Sequence, residues 1–281
     1  MPKKTLSSVK GKIGVGLITC DREDFFKKSY NSVKNNKNIS FVVVDDGVDS
    51  DATQLMGGDN VGYIKTSGKE GVACAKNMAL DYLIDAECEH IFLMEDDIEI
   101  KNQDVFDFYI NASQVSGIKH FNYALHGNHN LDSNGNPTIR KTVNYKDNVM
   151  IDLYPNVLGA LSYYHIDTLS SVGIMDENFY NALEHVDHTY QIIKNGFHPP
   201  FRWFADVHGS NKYISDILPD HKNSKIRSEA DFMETFRKGL EYFIEKNNFS
   251  VVPGAGPSEK YYSEEDTLSN LKQIWKDHHQ K

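Results

Sequence analysis

Ile13 to Thr19 is a short apolar run broken only by Gly14 and Gly16, which predicts a buried strand. From about Glu23 to Val33, Phe25, Phe26, Tyr30 and Val33 recur at helical spacing, and Asp21 stands in front as the expected cap. Ile39 to Val44 is a second buried run, ending in Asp45-Asp46-Gly47, and Val61 to Thr66 is a third. Gly71 to Ala86 carries Val72, Ala75, Ala79, Leu80 and Leu83 as one helical stripe. Ile91 to Met94 is a fourth strand and runs into Glu95-Asp96-Asp97, after which Asp104 to Val115 is a helix. Strand, helix, strand, strand, helix, strand in that order predicts a mostly parallel sheet flanked by helices, an α/β fold.

After Phe121 the texture changes. Gly127 to Pro137 is rich in Asn, Asp and Gly and predicts a loop; Thr138 to Tyr154 alternates as a hairpin does; Asn156 to Tyr164 is a further strand. Short helices are expected at Asp167 to Val172, closed by Gly173, and at Glu184 to Lys194, closed by Asn195-Gly196. Phe201 to Ala205 is strand-like, and two helices follow, Glu229 to Lys246 and Glu264 to His278, joined by a turn-rich linker from Gly254 to Tyr262. The expected division is 1–215 as the main α/β domain and 216–281 as a helical C-terminal extension that bears on acceptor choice. Trp203 is expected in the core, and Trp275 is expected to pack the last helix onto the body.

The chain has 281 residues and a net charge of −10, a balance that argues against a polyanion as the main partner. Three cysteines at irregular spacing fit no zinc pattern and read as free thiols of a reducing compartment. No apolar run is long enough to span a membrane and no signal-type segment follows the basic N-terminus, so a cytoplasmic protein is the default expectation.

In open α/β sheets, ligands bind beyond the carboxyl ends of the strands. Two acidic clusters fall there, Asp45-Asp46 and Glu95-Asp96-Asp97. Buried and unanswered, such carboxylates are costly, so they point to a cation or a polar ligand at the strand tips. Mg²⁺ or Mn²⁺ commonly bridges one or two carboxylates to substrate phosphates. Taken alone, the second cluster reads equally well as an acidic turn in front of the next helix.

Five segments in order give the context. Ile13 to Val33, Phe41 to Asp51 (FVVVDDGVDSD), Gly71 to Ala79 (GVACAKNMA), Ile91 to Ile98 (IFLMEDDI) and Val172 to Gly196 (VGIMDENFYNALEHVDHTYQIIKNG) resemble successive motifs of the family-2-like, GT-A-fold glycosyltransferases. Those motifs are the opening strand and helix, the Asp-Asp-Gly-Ser tip, the Gly-x-x-x-Ala-Arg-Asn helix start, the strand leading to DXD, and Val-Gly-x-x-Asp-Glu-x-Phe followed by Glu-Asp-x-Asp. The resemblance covers roughly residues 13 to 210.

The resemblance implies a GT-A fold and a metal-dependent, inverting transfer. A sugar would move from a nucleoside diphosphate sugar, a UDP-sugar first of all, to an acceptor hydroxyl of a glycan. Thr19, Asp45 and Asp46 would meet the base, and Lys76, in the place of the family's Arg, the base or diphosphate. Asp97, with Glu95 and Asp96, would bind Mn²⁺ or Mg²⁺, and His208 would complete the metal shell. The family's basic Asp is replaced by His185, leaving His185, Glu184 and Asp187 as candidate bases; a histidine's ordinary pKa near 6.5 suits the task. Bland readings stand beside these: Lys76 as a solvated helix residue, His208 as a loop histidine without a task, and Asp187 and His188 on an exposed helix face.

The departure at His185 keeps a non-catalytic sugar-nucleotide or glycan-binding module as the alternative. A modified DNA base is a further acceptor, through a basic stretch of Lys212, Lys222, Lys225 and Arg227. A nicotinamide-dependent oxidoreductase is disfavoured, because Gly11, Gly14 and Gly16 precede or lie within the first strand instead of following it. The metal reading requires that the acids of the fourth strand face a cleft and are not already neutralised by internal Lys or Arg.

Overall fold

The computed structural model describes residues 11–49, 52–56, 61–217 and 230–280. Its central sheet has the order β3-β2-β1-β4-β9-β6. Four strands run parallel: β1 (Ile13–Thr19), β2 (Ile39–Asp45), β3 (Gly62–Lys65) and β4 (His90–Glu95). β9 (Leu161–His165) then inserts antiparallel between β4 and β6 (His120–Asn122). Two small sheets complete it: β7 (Lys141–Asn144), β8 (Met150–Tyr154) and β10 (Phe204–Val207), and the pair of β5 (Ile98–Ile100) with β11 (Ile214–Asp216).

The near-continuous apolar runs of the strands follow from burial on both faces. Val43, Phe92 and Met94 enter one cluster, while Val42, Val44, Ile91 and Leu93, one residue out of phase, enter the other. The first cluster is covered by α1 (Glu23–Val33), α2 (Ala52–Met56) and α4 (Val105–Ser116). The second lies under α3 (Val72–Asp85), α5 (Ile166–Val172) and α6 (Glu184–Lys194). Gly16 sets how closely α3 approaches, since a Cβ there would stand 2.8 Å from the Ala79 methyl.

The C-terminal helices are joined to this body. α7 (Phe232–Asn247) contributes Phe243 to a third cluster with Phe179, Phe201 and Phe249. α8 (Glu264–His279), started by a Ser263–Asp266 capping box, buries Leu271 and Ile274 in the first cluster. Trp275 is half-buried beside them, stacked on His279, while Trp203 is a core residue as expected. β11 runs through Asp216, across the division expected at 215/216.

Gly173 and Gly196 close their helices at positive φ as read from the sequence. Asp21 does not cap α1: the residue before the helix is Arg22, and Asp21 Oδ1 instead accepts from the Asp49 backbone N–H at 2.8 Å. Among the described residues no helix is long and apolar enough to cross a membrane. Lys222, Lys225 and Arg227 lie outside the described residues, and Lys212 is exposed.

Candidate active site

The parallel register sets the strand tips side by side. Thr19 pairs with Asp45, and Ile18 with Glu95, so β1, β2 and β4 deliver their last residues to one edge.

The Asp45-Asp46 tip is answered from within. Asp45, fully buried, accepts from the backbone N–H groups of Gly47 (2.9 Å) and Ala52 (3.1 Å) and from the Tyr63 hydroxyl (3.1 Å), and pairs with Lys65 at 3.0 Å. Asp46 accepts from the Thr66 hydroxyl (2.6 Å) and from the N–H groups of Glu70 (2.8 Å) and Gly71 (3.0 Å). Asp45 thereby holds the turn into α2 against β3, and Asp46 shapes the loop that leads into α3. Thr19, expected at the base, donates its hydroxyl to Asp96 Oδ2 at 2.7 Å.

At the β4 tip Glu95, Asp96 and Lys76 are all engaged by protein partners. Lys76 is buried and reaches Glu95 (2.7 Å), Glu184 (3.2 Å) and the Gly159 carbonyl (3.2 Å), so its ammonium bridges two acids and is not a solvated helix residue. Burial alone would lower the Lys76 pKa, but Glu95 and Glu184 carry it well above the ordinary lysine value. Glu95 and Glu184 respond in the opposite sense: burial would raise them, and Lys76 pulls both below the usual carboxylate range, with His185 adding to the pull on Glu184. Asp96 is buried against Arg22 and Thr19, and its burial outweighs the guanidinium and pushes its carboxyl up to about 7.

Asp97 differs. Its Oδ2 lies 3.3 Å from Arg22 Nη2, while its buried Oδ1 has no hydrogen-bond partner among the described residues. Burial holds this carboxyl above its usual range against the opposing charges of His126 and Arg22. His126 Nδ1 donates to Asp216 at 2.9 Å; burial would lower its pKa, but Asp216 and the charges of Asp97 and Glu95 carry it above the ordinary histidine value. The backbone N–H of Ile217 donates to the Asp97 carbonyl at 2.8 Å, so the end of β11 closes over this tip. Among the described residues no group of three or more His, Cys, Asp or Glu side chains is arranged to hold a metal ion. His208, expected in such a shell, is bonded to Asp152 at 2.8 Å; the histidine whose charge acts on Asp97 is His126.

The 184–188 segment separates its three candidate bases. His185 Nδ1 lies 3.0 Å from Glu184 Oε1, and the ring packs on Gly159, where a Cβ would stand 2.8 Å from Cγ and Nδ1. Leu183, before the helix, has φ +69°, an uncommon conformation for a residue with a branched side chain, and the chain enters α6 from that bend. The N-terminal turn of the helix favours the Glu184 anion. Asp187 is turned away from this group: it accepts from Lys246 (2.8 Å), Asn247 (2.9 Å) and Gln191 (3.1 Å) and ties α7 to α6. It is buried and engaged, as is His188, which bonds the Gly173 carbonyl at 3.0 Å; neither sits on an exposed face. Asn77 fixes the neighbouring loop, exchanging hydrogen bonds with the Met175 backbone at 2.8 and 2.9 Å.

Arg22, His126 and Asp216 were not singled out in the sequence. Arg22 had a signal, a lone cation three residues beyond the β1 tip; His126 and Asp216 sit in polar segments with nothing to mark them.

A six-stranded sheet of this order, with acidic tips on β2 and β4, is the GT-A glycosyltransferase fold. No family model matches the chain. The low-salt glycan biosynthesis hexosyltransferase Agl10 of Haloferax volcanii is 20% identical over 190 residues, which is 64% of this chain and 61% of that protein. The chain thus spans about three fifths of the length of the curated relative it matches. Among solved structures, residues 1–349 of S. aureus TarS in complex with UDP-GlcNAc match over 96% of this chain and 73% of that one, at 16% identity and a TM-score of 0.54. A longer S. aureus TarS structure matches over 95% of this chain and 43% of that one, at 17% identity and a TM-score of 0.53. That likeness is one of fold.

Proposed function

We propose that the chain is an inverting glycosyltransferase that moves a sugar from a nucleoside diphosphate sugar to an acceptor hydroxyl of a glycan. The observation that carries the proposal is the linked group His185–Glu184–Lys76–Glu95, which ties the start of α6 to the tip of β4, beside Asp97, whose buried Oδ1 has no partner among the described residues. The hexosyltransferase relative and a neighbour solved with UDP-GlcNAc support a sugar nucleotide, and a UDP-sugar first, as the donor.

His185 takes the proton of the attacking hydroxyl. Glu184 orients the imidazole and stabilises the imidazolium that forms, and Lys76 keeps Glu184 ionised for that purpose. The requirement that the β4 acids be free of internal cations is not met by the cluster as a whole, since Lys76 neutralises Glu95 and Arg22 pairs with Asp96 and Asp97. Asp97 alone keeps a place for a hard divalent cation, through a carboxylate oxygen with no hydrogen-bond partner among the described residues. With one protein carboxylate, the remaining ligands would be diphosphate oxygens and water, a common arrangement for Mg²⁺. Mn²⁺ or Mg²⁺ bound there would supply charge stabilisation to the departing diphosphate.

The test is a screen of sugar nucleotides for nucleotide release with Mn²⁺ and with Mg²⁺. One donor giving metal-dependent release, lost on chelation, is the expected result. Calorimetric binding of UDP without release from any donor would overturn catalysis and leave a sugar-nucleotide-binding module.

A further inference from the structure

A cavity of about 390 Å³ lies between Arg140 and Pro155 at the edge of the β7–β8 hairpin, the turn at Phe201 to Trp203, and the linker joining α7 to α8. It shares no lining residue with Thr19, Asp46, Lys76, Asp97 or His185. We propose that this cavity binds an acidic saccharide, a sugar chain bearing a carboxylate or phosphate group, with Arg140 holding the acid and Tyr261 giving a face to a sugar ring.

Charge is the first argument. The chain as a whole is strongly acidic at −10. The cavity reverses this locally, with Arg140, Arg202 and Lys260 against the single carboxylate of Glu259. Glu259 is already held by Arg202 at 2.8 Å, and the same guanidinium donates to the Val251 carbonyl at 2.7 Å. Arg140 has no such answer: its guanidinium lies 5.3 Å from the centre of the Trp203 ring and pairs with no carboxylate among the described residues. Burial and the charge of Arg202 lower its pKa, against smaller opposing pulls from Tyr261 and Glu259. An arginine fork is suited to bidentate contact with a carboxylate or phosphate.

Shape is the second argument. Tyr261 lines the cavity and is 82% exposed, an uncommon placement for a large aromatic residue. The C–H face of a pyranose is the natural cover for such a ring, leaving the hydroxyls free for polar neighbours. The Trp203 indole N–H is fixed to the Tyr262 carbonyl at 3.1 Å, and the linker closes on itself through Ser250 N–H to the Pro257 carbonyl at 2.8 Å. The walls are therefore held before a ligand arrives. Arg202 keeps a left-handed backbone, φ +69°, at the centre of this wall, and strained residues of this kind gather at ligand sites.

The proposal does not rest on the donor reading, because binding is measured with no sugar nucleotide present. Isothermal titration of the full chain with trigalacturonate, 6-phosphorylated maltotriose and neutral maltotriose decides it. At least one acidic probe should bind, and maltotriose should be at least about tenfold weaker, the scale of one charge-assisted hydrogen bond. Which acidic probe binds identifies the acid group. Arg140→Gln, at an exposed position, should weaken the acidic probe about tenfold or more, Tyr261→Ala should weaken it several-fold, and Asp97→Asn should leave it unchanged. No binding, equal binding of maltotriose, or binding indifferent to Arg140→Gln overturns the proposal. Loss of binding with Asp97→Asn overturns it too, by moving the saccharide to the strand tips.

Discussion

The two acidic strand tips look alike in sequence and differ in the folded chain. At β2, Asp45 and Asp46 are surrounded by backbone N–H groups, hydroxyls and Lys65: Asp45 holds the turn into α2 and the end of β3, and Asp46 holds the turn into α3. At β4, the answering groups are the cations Arg22 and Lys76, brought from other elements, and one oxygen of Asp97 is left over. A carboxylate satisfied by its own loop builds structure. A cluster that needs two imported cations and still has an unpartnered oxygen is poised for a further positive charge. At the first tip the contacts build the turns into α2 and α3; at the second, one carboxylate oxygen has no partner among the described residues.

Lys76→Met should give the largest effect. It leaves Glu95 and Glu184 facing each other without their cation, and breaking a buried pair from one side costs roughly 3–5 kcal/mol. Chemical denaturation should show that loss, and nucleotide release should disappear with it. A stable Lys76→Met variant would mean that water already answers these acids.

Asp97→Asn comes next, and it separates function from stability. A carboxyl whose pKa is raised in the folded state holds its proton more tightly there than in the unfolded chain, so its contribution is lost as pH rises. At neutral pH the amide removes that burden, and the thermal midpoint should not fall. Metal-dependent nucleotide release should drop by about 10³-fold, the upper end of what a single electrostatic group supplies. Asp46→Asn is the counterpart: it should cost on the order of 1–3 kcal/mol in stability through the loosened α3 entry. If Asp46→Asn abolished release with no loss of stability, the contrast between the tips would be reversed.

The sheet and both acidic tips were legible in the sequence because each rests on local pattern: apolar runs of strand length, and acids directly after them. The partners of those acids were not legible. Arg22 meets Asp96 across 74 positions, and Lys76 meets Glu184 across 108, separations that no spacing rule spans. The burial of Asp187 was hidden for the same reason, since its partners Lys246 and Asn247 come from α7. The three-residue strands β5 and β6 carry too little pattern to be seen, and Asp21 stands where a cap belongs yet is drawn to the Asp49 backbone.

The same contrast, carried into the 184–188 segment, gives the smallest prediction for stability. Asp187 resembles the β2 tip, with each oxygen engaged by Lys246, Asn247 or Gln191, whereas His185 resembles Asp97 in standing half-exposed beside a charged group. Asp187→Asn keeps one carbonyl acceptor, and Lys246 keeps Asp176 at 2.7 Å, so the loss should be about 1 kcal/mol. Sugar transfer should stay within about threefold, a shift of well under 1 kcal/mol in the barrier. His185→Gln should leave stability nearly untouched and slow transfer by about 10²-fold or more, the lower range for losing a general base. Rates and melting curves of the two variants, measured side by side, decide between them. Full stability with lost transfer in Asp187→Asn would make the aspartate the base and return His185 to a structural role.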